Sequence, residues 1–105
     1  AARRRGFSVT GETCPQYLLL TQEVYDREGV LGALPVCSPP IREQTQQDAL
    51  WQALAADGLQ MVTTDHAPFR AEDKATGLDD FRNIPGGVNG IEVRLSAVFQ
   101  GVRRG

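Results

Sequence analysis

Leu59-Gln60-Met61-Val62-Thr63-Thr64-Asp65-His66-Ala67-Pro68-Phe69 is the stretch on which the fold is read. It opens at strand-like apolar density and ends on a carboxylate, an imidazole and a proline. Val62, Thr63 and Thr64 are β-branched and favour extended backbone. Pro68 has no N–H and a fixed φ, so regular pairing stops there. The expectation is a buried strand that delivers Asp65 and His66 at its C-terminal end. In folds made of βα units, that end is where chemistry is placed.

Working outward, Gln46 to Asp57 reads as the clearest helix. Leu50, Trp51 and Leu54 share one face, alanines add propensity, and Gly58 is expected as the C-cap residue. A helix running by a short turn into an apolar strand is the αβ half of a βαβ unit. Upstream, Phe7 to Thr13 and Leu34 to Ser38 read as short strands, ended by Cys14-Pro15 and Pro39-Pro40. Gln16 to Thr21 is too short for periodicity to separate helix from strand. Downstream, Arg70 to Asp80 is too charged for a core and reads as a polar run, anchored by Phe81 and Ile84. Ile91, Leu95, Val98, Phe99 and Val102 then recur at helical spacing, which predicts a helix with one buried stripe. The expected fold class is α/β: consecutive βα units forming a segment of a (β/α)8 barrel, about a quarter to a third of one.

The 105 residues, 41% hydrophobic and 23% charged, have an ordinary globular composition. A net charge of −2 argues against a nucleic-acid surface, so Arg3-Arg4-Arg5 and Arg103-Arg104 read as solvated ends. No apolar run approaches the roughly 18 residues of a membrane span, and no apolar signal segment follows the first residues. The two thiols, Cys14 and Cys37, lack zinc-ligand spacing; a cytoplasmic setting with both free is expected. Ala1 to Gly6 resembles a helix tail with its glycine cap, and Gly101 to Gly105 follows a helix directly. Both ends read as cuts through a larger α/β protein.

Asp65 carries the strongest chemical reading. A carboxylate at a strand end can ligate a divalent metal or move a proton; equally, it can cap the following loop. His66 is the only histidine, and one His with one Asp cannot close a zinc site. Ser38 lies on the same rim if the strands are neighbours, or simply opens a turn. Gly86-Gly87 permits close backbone approach to a ligand, or is a plain loop.

Four stretches taken together resemble one family: Gly11-Glu12-Thr13-Cys14-Pro15-Gln16-Tyr17-Leu18; Cys37-Ser38-Pro39-Pro40-Ile41-Arg42; Thr64 to Phe69; and Lys74 with Gly77, Asp79-Asp80-Phe81, Ile84-Pro85-Gly86-Gly87 and Gly90-Ile91-Glu92. The family is that of the dihydropyrimidinases and D-hydantoinases, cyclic amidohydrolases. The resemblance implies a metal-dependent (β/α)8 barrel that opens hydantoins or dihydropyrimidines through metal-bound hydroxide. Residues 1–105 would be a piece of its C-terminal part, with no complete domain of their own. It implies two divalent metals of the zinc type, held by four histidines, a bridging carboxylated lysine and one aspartate. Asp65 matches that aspartate, as metal ligand and as general base and then acid. Ser38 matches a residue that contacts the substrate ring, and Gly86 with Gly87 match the segment whose backbone holds the ring's other side. Many members carry asparagine where Gly86 stands.

The histidines and lysine have no matching motif here, so no stably bound metal and no turnover are expected of these 105 residues alone. The resemblance further implies a small cyclic amide or imide as partner, no nucleic acid or membrane, and a homodimer or homotetramer. Dihydroorotase- or allantoinase-type ring hydrolases, and non-catalytic scaffold relatives of the same barrel, are the alternatives. Phe69 stands where dihydroorotases carry histidine, and allantoinases look less similar still.

Overall fold

Two parallel strands form the centre of the computed structural model, which describes residues 2–104. Strand β1 (Glu12–Thr13) pairs with β2 (Met61–Val62), Glu12 opposite Met61 and Thr13 opposite Val62. The amides of Gln60 and Thr63 extend the ladder to the carbonyls of Gly11 and Thr13 at 2.9 Å each. Parallel strands need a long crossover, and three helices occupy it: α1 (Pro15–Leu19), α2 (Val30–Ala33) and α3 (Gln44–Ala55). After β2 come α4 (Ala71–Ala75) and α5 (Arg94–Arg104). Short 3-10 turns cover Arg3–Arg5, Gln22–Asp26 and Phe81–Asn83.

The ambiguous segment after Cys14 is thus helical. Pro15 occupies the first helical position, where its missing N–H costs nothing. Helix α3 starts two residues earlier than its apolar pattern, and its end differs from expectation. Asp57 (φ 55°), not Gly58, takes the left-handed position. The amide of Gly58 then donates to the Ala53 carbonyl at 2.7 Å and that of Asp57 to Leu54 at 3.4 Å. This is a Schellman closure one residue early. Arg3 secures it by donating to the Asp57 carboxylate at 3.0 Å, and Gly6 (φ 83°) caps the short Arg3–Arg5 turn as the sequence suggested.

Several expectations are corrected. Residues 34–38 form a turn and an irregular run rather than a strand. Pro35, Pro39 and Pro40 remove ladder donors on both sides of that segment. The polar run after Phe69 contains α4, and Phe81 is exposed instead of anchoring it. Strand β2 is two residues long with Met61 exposed, and Ile91 just ahead of α5 is exposed as well, as are Leu95, Phe99 and Val102 of the α5 stripe. The α/β character therefore stands as two parallel strands with helices, without the run of successive βα units.

The core is small: Cys14, Leu18, Ala33 and Ile41 with Thr13, Gln16 and Lys74. Fourteen large apolar side chains stay exposed among the described residues. A parallel sheet buries both of its faces when neighbouring elements cover it. The radius of gyration, 15.3 Å, exceeds the about 13 Å of a closed globule of this length.

Helix α5 meets α3 at Trp51. The Trp51 indole N–H donates to the Leu18 carbonyl at 3.0 Å, and its ring lies directly against Gly101. A Cβ at position 101 would overlap the edge of that ring. Overpacking costs about 1–3 kcal/mol, against about 1 kcal/mol gained in helix propensity. Gly101→Ala is thus expected to destabilise by a net ~1 kcal/mol. Denaturant unfolding followed by Trp51 fluorescence checks this.

Candidate active-site edge

Three segments that are distant in sequence converge beyond the C-terminal end of β2. Asp65 lies three residues past β2 and adopts φ 44°, a left-handed conformation that Asp tolerates better than most residues. Its side chain is exposed. Asp73 and Asp80 accept backbone amides, those of Arg70 and Arg82; among the described residues no such donor caps Asp65.

His66 does something that residue type alone did not decide. Its Nδ1 accepts from the amides of Gly90 at 3.1 Å and Ile91 at 3.4 Å. Nδ1 is the acceptor in both contacts, which leaves Nε2 outside them. His66 also forms a parallel bridge with Val88, and the Ala67 amide donates to the Val88 carbonyl at 3.0 Å. The imidazole thus pins the segment after Gly86-Gly87 to the strand end that carries Asp65. Removing the one acceptor that both amides share, in His66→Ala, should speed amide exchange at Gly90 and Ile91 by about tenfold. His66→Asn, whose Oδ1 stands near the place of Nδ1, should restore much of that protection. Equal exchange in both variants would show that the contact holds nothing.

Ser38 is exposed, in a bend that begins with a cis Ser38–Pro39 peptide. Around it, Tyr17 donates to the Pro39 carbonyl at 2.8 Å, and the Ile41 amide donates to the Tyr25 hydroxyl at 2.8 Å. Burial, and then the neighbouring Cys37, push the Tyr17 hydroxyl above the usual tyrosine range. Burial likewise raises the Cys37 thiol. Both cysteines are free.

Gly86 and Gly87 lie against this segment. The Gly87 amide donates to the Val36 carbonyl at 3.0 Å, two residues before Ser38. A Cβ built on Gly86 would meet only the Cys37 Cα, at 4.0 Å. A Cβ therefore fits there without displacement. Gly87 is different: a Cβ would stand 2.5 Å from the Ala67 carbonyl oxygen. All four residues singled out from the sequence thus belong to segments that touch. They do not share one enclosed cavity. A cleft of about 730 Å³ runs from Asp65 past Thr63, Thr13 and Tyr17 to Arg42, and its lining does not include Ser38, Gly86 or Gly87.

Lys74 was noted only as part of a motif, yet it is 1% exposed. Its Nζ donates to the Val36 carbonyl at 2.7 Å and lies 5.9 Å from the centre of the Phe69 ring. Burial lowers its pKa, while Cys37 pulls the other way. A lone lysine in a charged run carries no periodicity, so no local signal distinguished it.

As to metals, no group of three His, Cys, Asp or Glu side chains is arranged to hold one among the described residues. His66 has its Nδ1 committed to backbone amides. Asp65 is an unencumbered oxygen donor, suited to one ligand position in a site completed from elsewhere. Among the described residues no helix is long and apolar enough to cross a membrane.

No family model matches the chain. Individual proteins do. A D-hydantoinase from Streptomyces coelicolor is 44% identical over 99% of the chain, which spans 22% of that protein. An allantoinase from Streptomyces avermitilis is also 44% identical, over 98% of the chain and 22% of the relative. This corrects the expectation that allantoinases stand further off. The crystal structure of a dihydropyrimidinase from Brevibacillus agri superimposes with a TM-score of 0.93 at 46% identity, over 98% of this chain and 23% of that one. The chain therefore spans less than a quarter of the length of the relatives it matches, and over nearly all of its own length it is homologous to one segment of the D-hydantoinase and dihydropyrimidinase family.

Proposed function

We propose that residues 1–105 are a piece of a (β/α)8 barrel, and that the protein built on it hydrolyses cyclic amide bonds in a hydantoin or dihydropyrimidine ring. The observation that carries this is the joining of three segments by backbone contacts: Asp65 on one, Ser38 on the second, Gly86-Gly87 on the third. The exposed apolar faces of β2 and α5 agree with strands and helices that would cover them from elsewhere in such a protein. They also agree with a homo-oligomer, a dimer or tetramer. The two free thiols fit a reducing, cytoplasmic setting.

Asp65 would take one ligand position at a pair of divalent metals of the zinc type, the remaining ligands lying outside these residues. When bound, such metals polarise a carbonyl and lower the pKa of water. The Asp65 carboxylate, exposed and free of backbone donors, takes the proton of the attacking water and returns it to the departing amide nitrogen. Ser38 and the main chain at Gly86 hold the ring so that its carbonyl faces Asp65.

The test is a metal analysis and ring-opening assays, with hydantoin, dihydrouracil and allantoin, on one preparation of the protein carrying this segment in full. About two metals per chain with turnover of hydantoin or dihydrouracil are expected. Allantoin as the preferred ring would favour the allantoinase-type reading, which the 44% identity to such a protein supports. No turnover of any ring by the metal-loaded protein would overturn the proposal and favour the scaffold alternative. The 105-residue chain alone should bind no stoichiometric zinc and open no ring; tight binding with turnover would refute the division of ligands.

A further inference from the structure

Among the described residues the most deeply buried charged side chain is not Asp65 but Lys74, beneath the proposed ring-holding segments. Lys74 is the penultimate residue of α4, and its ammonium has no carboxylate partner among the described residues, where the ion pairs are Arg3–Asp57 and Arg82–Asp80. A buried ammonium must find oxygen or π partners to offset its lost hydration. Lys74 has one of each, the Val36 carbonyl and the Phe69 ring.

That carbonyl is not a neutral choice. It accepts from Lys74 Nζ at 2.7 Å and from the Gly87 amide at 3.0 Å. Val36 stands two residues before Ser38, and Gly87 follows Gly86. One oxygen therefore ties the Ser38 segment to the Gly86 segment, and the ammonium fixes that oxygen in place. A carbonyl has two lone pairs, so both donors are satisfied without competition. Phe69 extends the tie towards the third segment, because it closes the stretch that carries Asp65, and its ring would also meet a Cβ at Gly87 at 3.0 Å.

We propose that Lys74 is a positioning residue for the ring site: by anchoring the Val36 carbonyl shared with the Gly87 amide, it sets the spacing between Ser38 and Gly86, and that spacing selects ring size. The proposal rests on the reading that Ser38 and Gly86 hold a cyclic amide. It goes beyond that reading by giving a buried residue outside the site control over which ring fits.

The experiment uses the full protein and compares hydantoin, a five-membered ring, with dihydrouracil, a six-membered one. Lys74→Met keeps most of the buried volume and removes the donor. KM for both rings should rise by about tenfold, the size of one lost charge-assisted hydrogen bond, with kcat within about threefold. The ratio of kcat/KM between the two rings should shift by about threefold or more. Lys74→Arg keeps a cationic donor and should recover most of the KM. A merely structural lysine would instead lower the active fraction, so that kcat falls equally for both rings at unchanged KM; that result overturns the proposal. If Lys74→Met does not fold, Lys74→Arg decides. Its longer side chain shifts the anchor of the Val36 carbonyl, so the ring ratio should change even where KM is largely recovered, and an unchanged ring ratio would overturn the assignment. A wild-type protein that opens neither ring refutes the functional reading itself, and Lys74's role with it. An active wild type with unaltered Lys74→Met kinetics refutes only the role of Lys74.

Discussion

Asp65→Asn in the full protein is expected to lower ring-opening turnover by about a hundredfold or more, since general acid–base catalysis supplies about 10² to 10⁴. The substitution is chosen for what it leaves alone. Asp65 adopts φ 44°, and asparagine is among the few residues that accept this left-handed conformation at little cost. The side chain is exposed and holds no backbone donor, so the fold loses no contact. What changes is the ability to accept a proton and to offer an anionic oxygen to a metal. Kinetics and thermal unfolding should therefore separate: kcat collapses, the unfolding midpoint of the metal-free protein stays within about 1 °C, and metal content falls. Turnover within a few-fold of wild type would make Asp65 a structural residue and remove the centre of the functional proposal.

Gly87→Ala is expected to have the next largest effect, and Gly86→Asn beside it almost none on the fold. A Cβ on Gly87 would stand 2.5 Å from the Ala67 carbonyl oxygen and 2.8 Å from the Ala67 Cβ. Neither is the far end of a flexible side chain, so backbone must shift. Such overpacking costs about 1–3 kcal/mol, and the movement is directed at two contacts, Gly87 to Val36 and Ala67 to Val88. Those contacts join the segments proposed to hold the ring. KM should rise by about tenfold or more, with the unfolding midpoint lowered. At Gly86 the same addition meets only the Cys37 Cα at 4.0 Å, and a surface change of this kind stays within about 0.5 kcal/mol. If Gly87→Ala were as mild as Gly86→Asn in both measurements, the close approach of these segments would not matter to the site.

The pair also shows how differently two adjacent glycines can read. Sequence offered Gly86-Gly87 as one unit, a turn that allows close approach. Only the approach of Ala67 and Phe69 from another segment makes the second glycine obligatory and the first dispensable.

The same division runs through the chain. Helix α3 and the short connection into β2 were legible, because apolar spacing, alanine propensity and a nearby glycine are local signals. So were the parallel arrangement of the strands around a helical crossover and the position of Asp65 beyond a strand end. Residues 34–38 read as a strand because Val36 and Leu34 have strand chemistry, while Pro35, Pro39 and Pro40 deny the segment a regular ladder. The α5 stripe was read correctly as apolar and wrongly as buried: periodicity gives a helix its face, but the covering surface comes from other elements. Lys74 lay beyond sequence reading altogether. Whether a lysine is solvated or buried depends on which carbonyl and which ring arrive beside it, and Val36 lies 38 residues away. Local pattern determined the elements and where the candidate chemistry sits on them. Tertiary structure decided which segments meet, because hydrogen bonds such as Gly87 to Val36 and His66 to Gly90 join residues whose separation leaves no trace in periodicity.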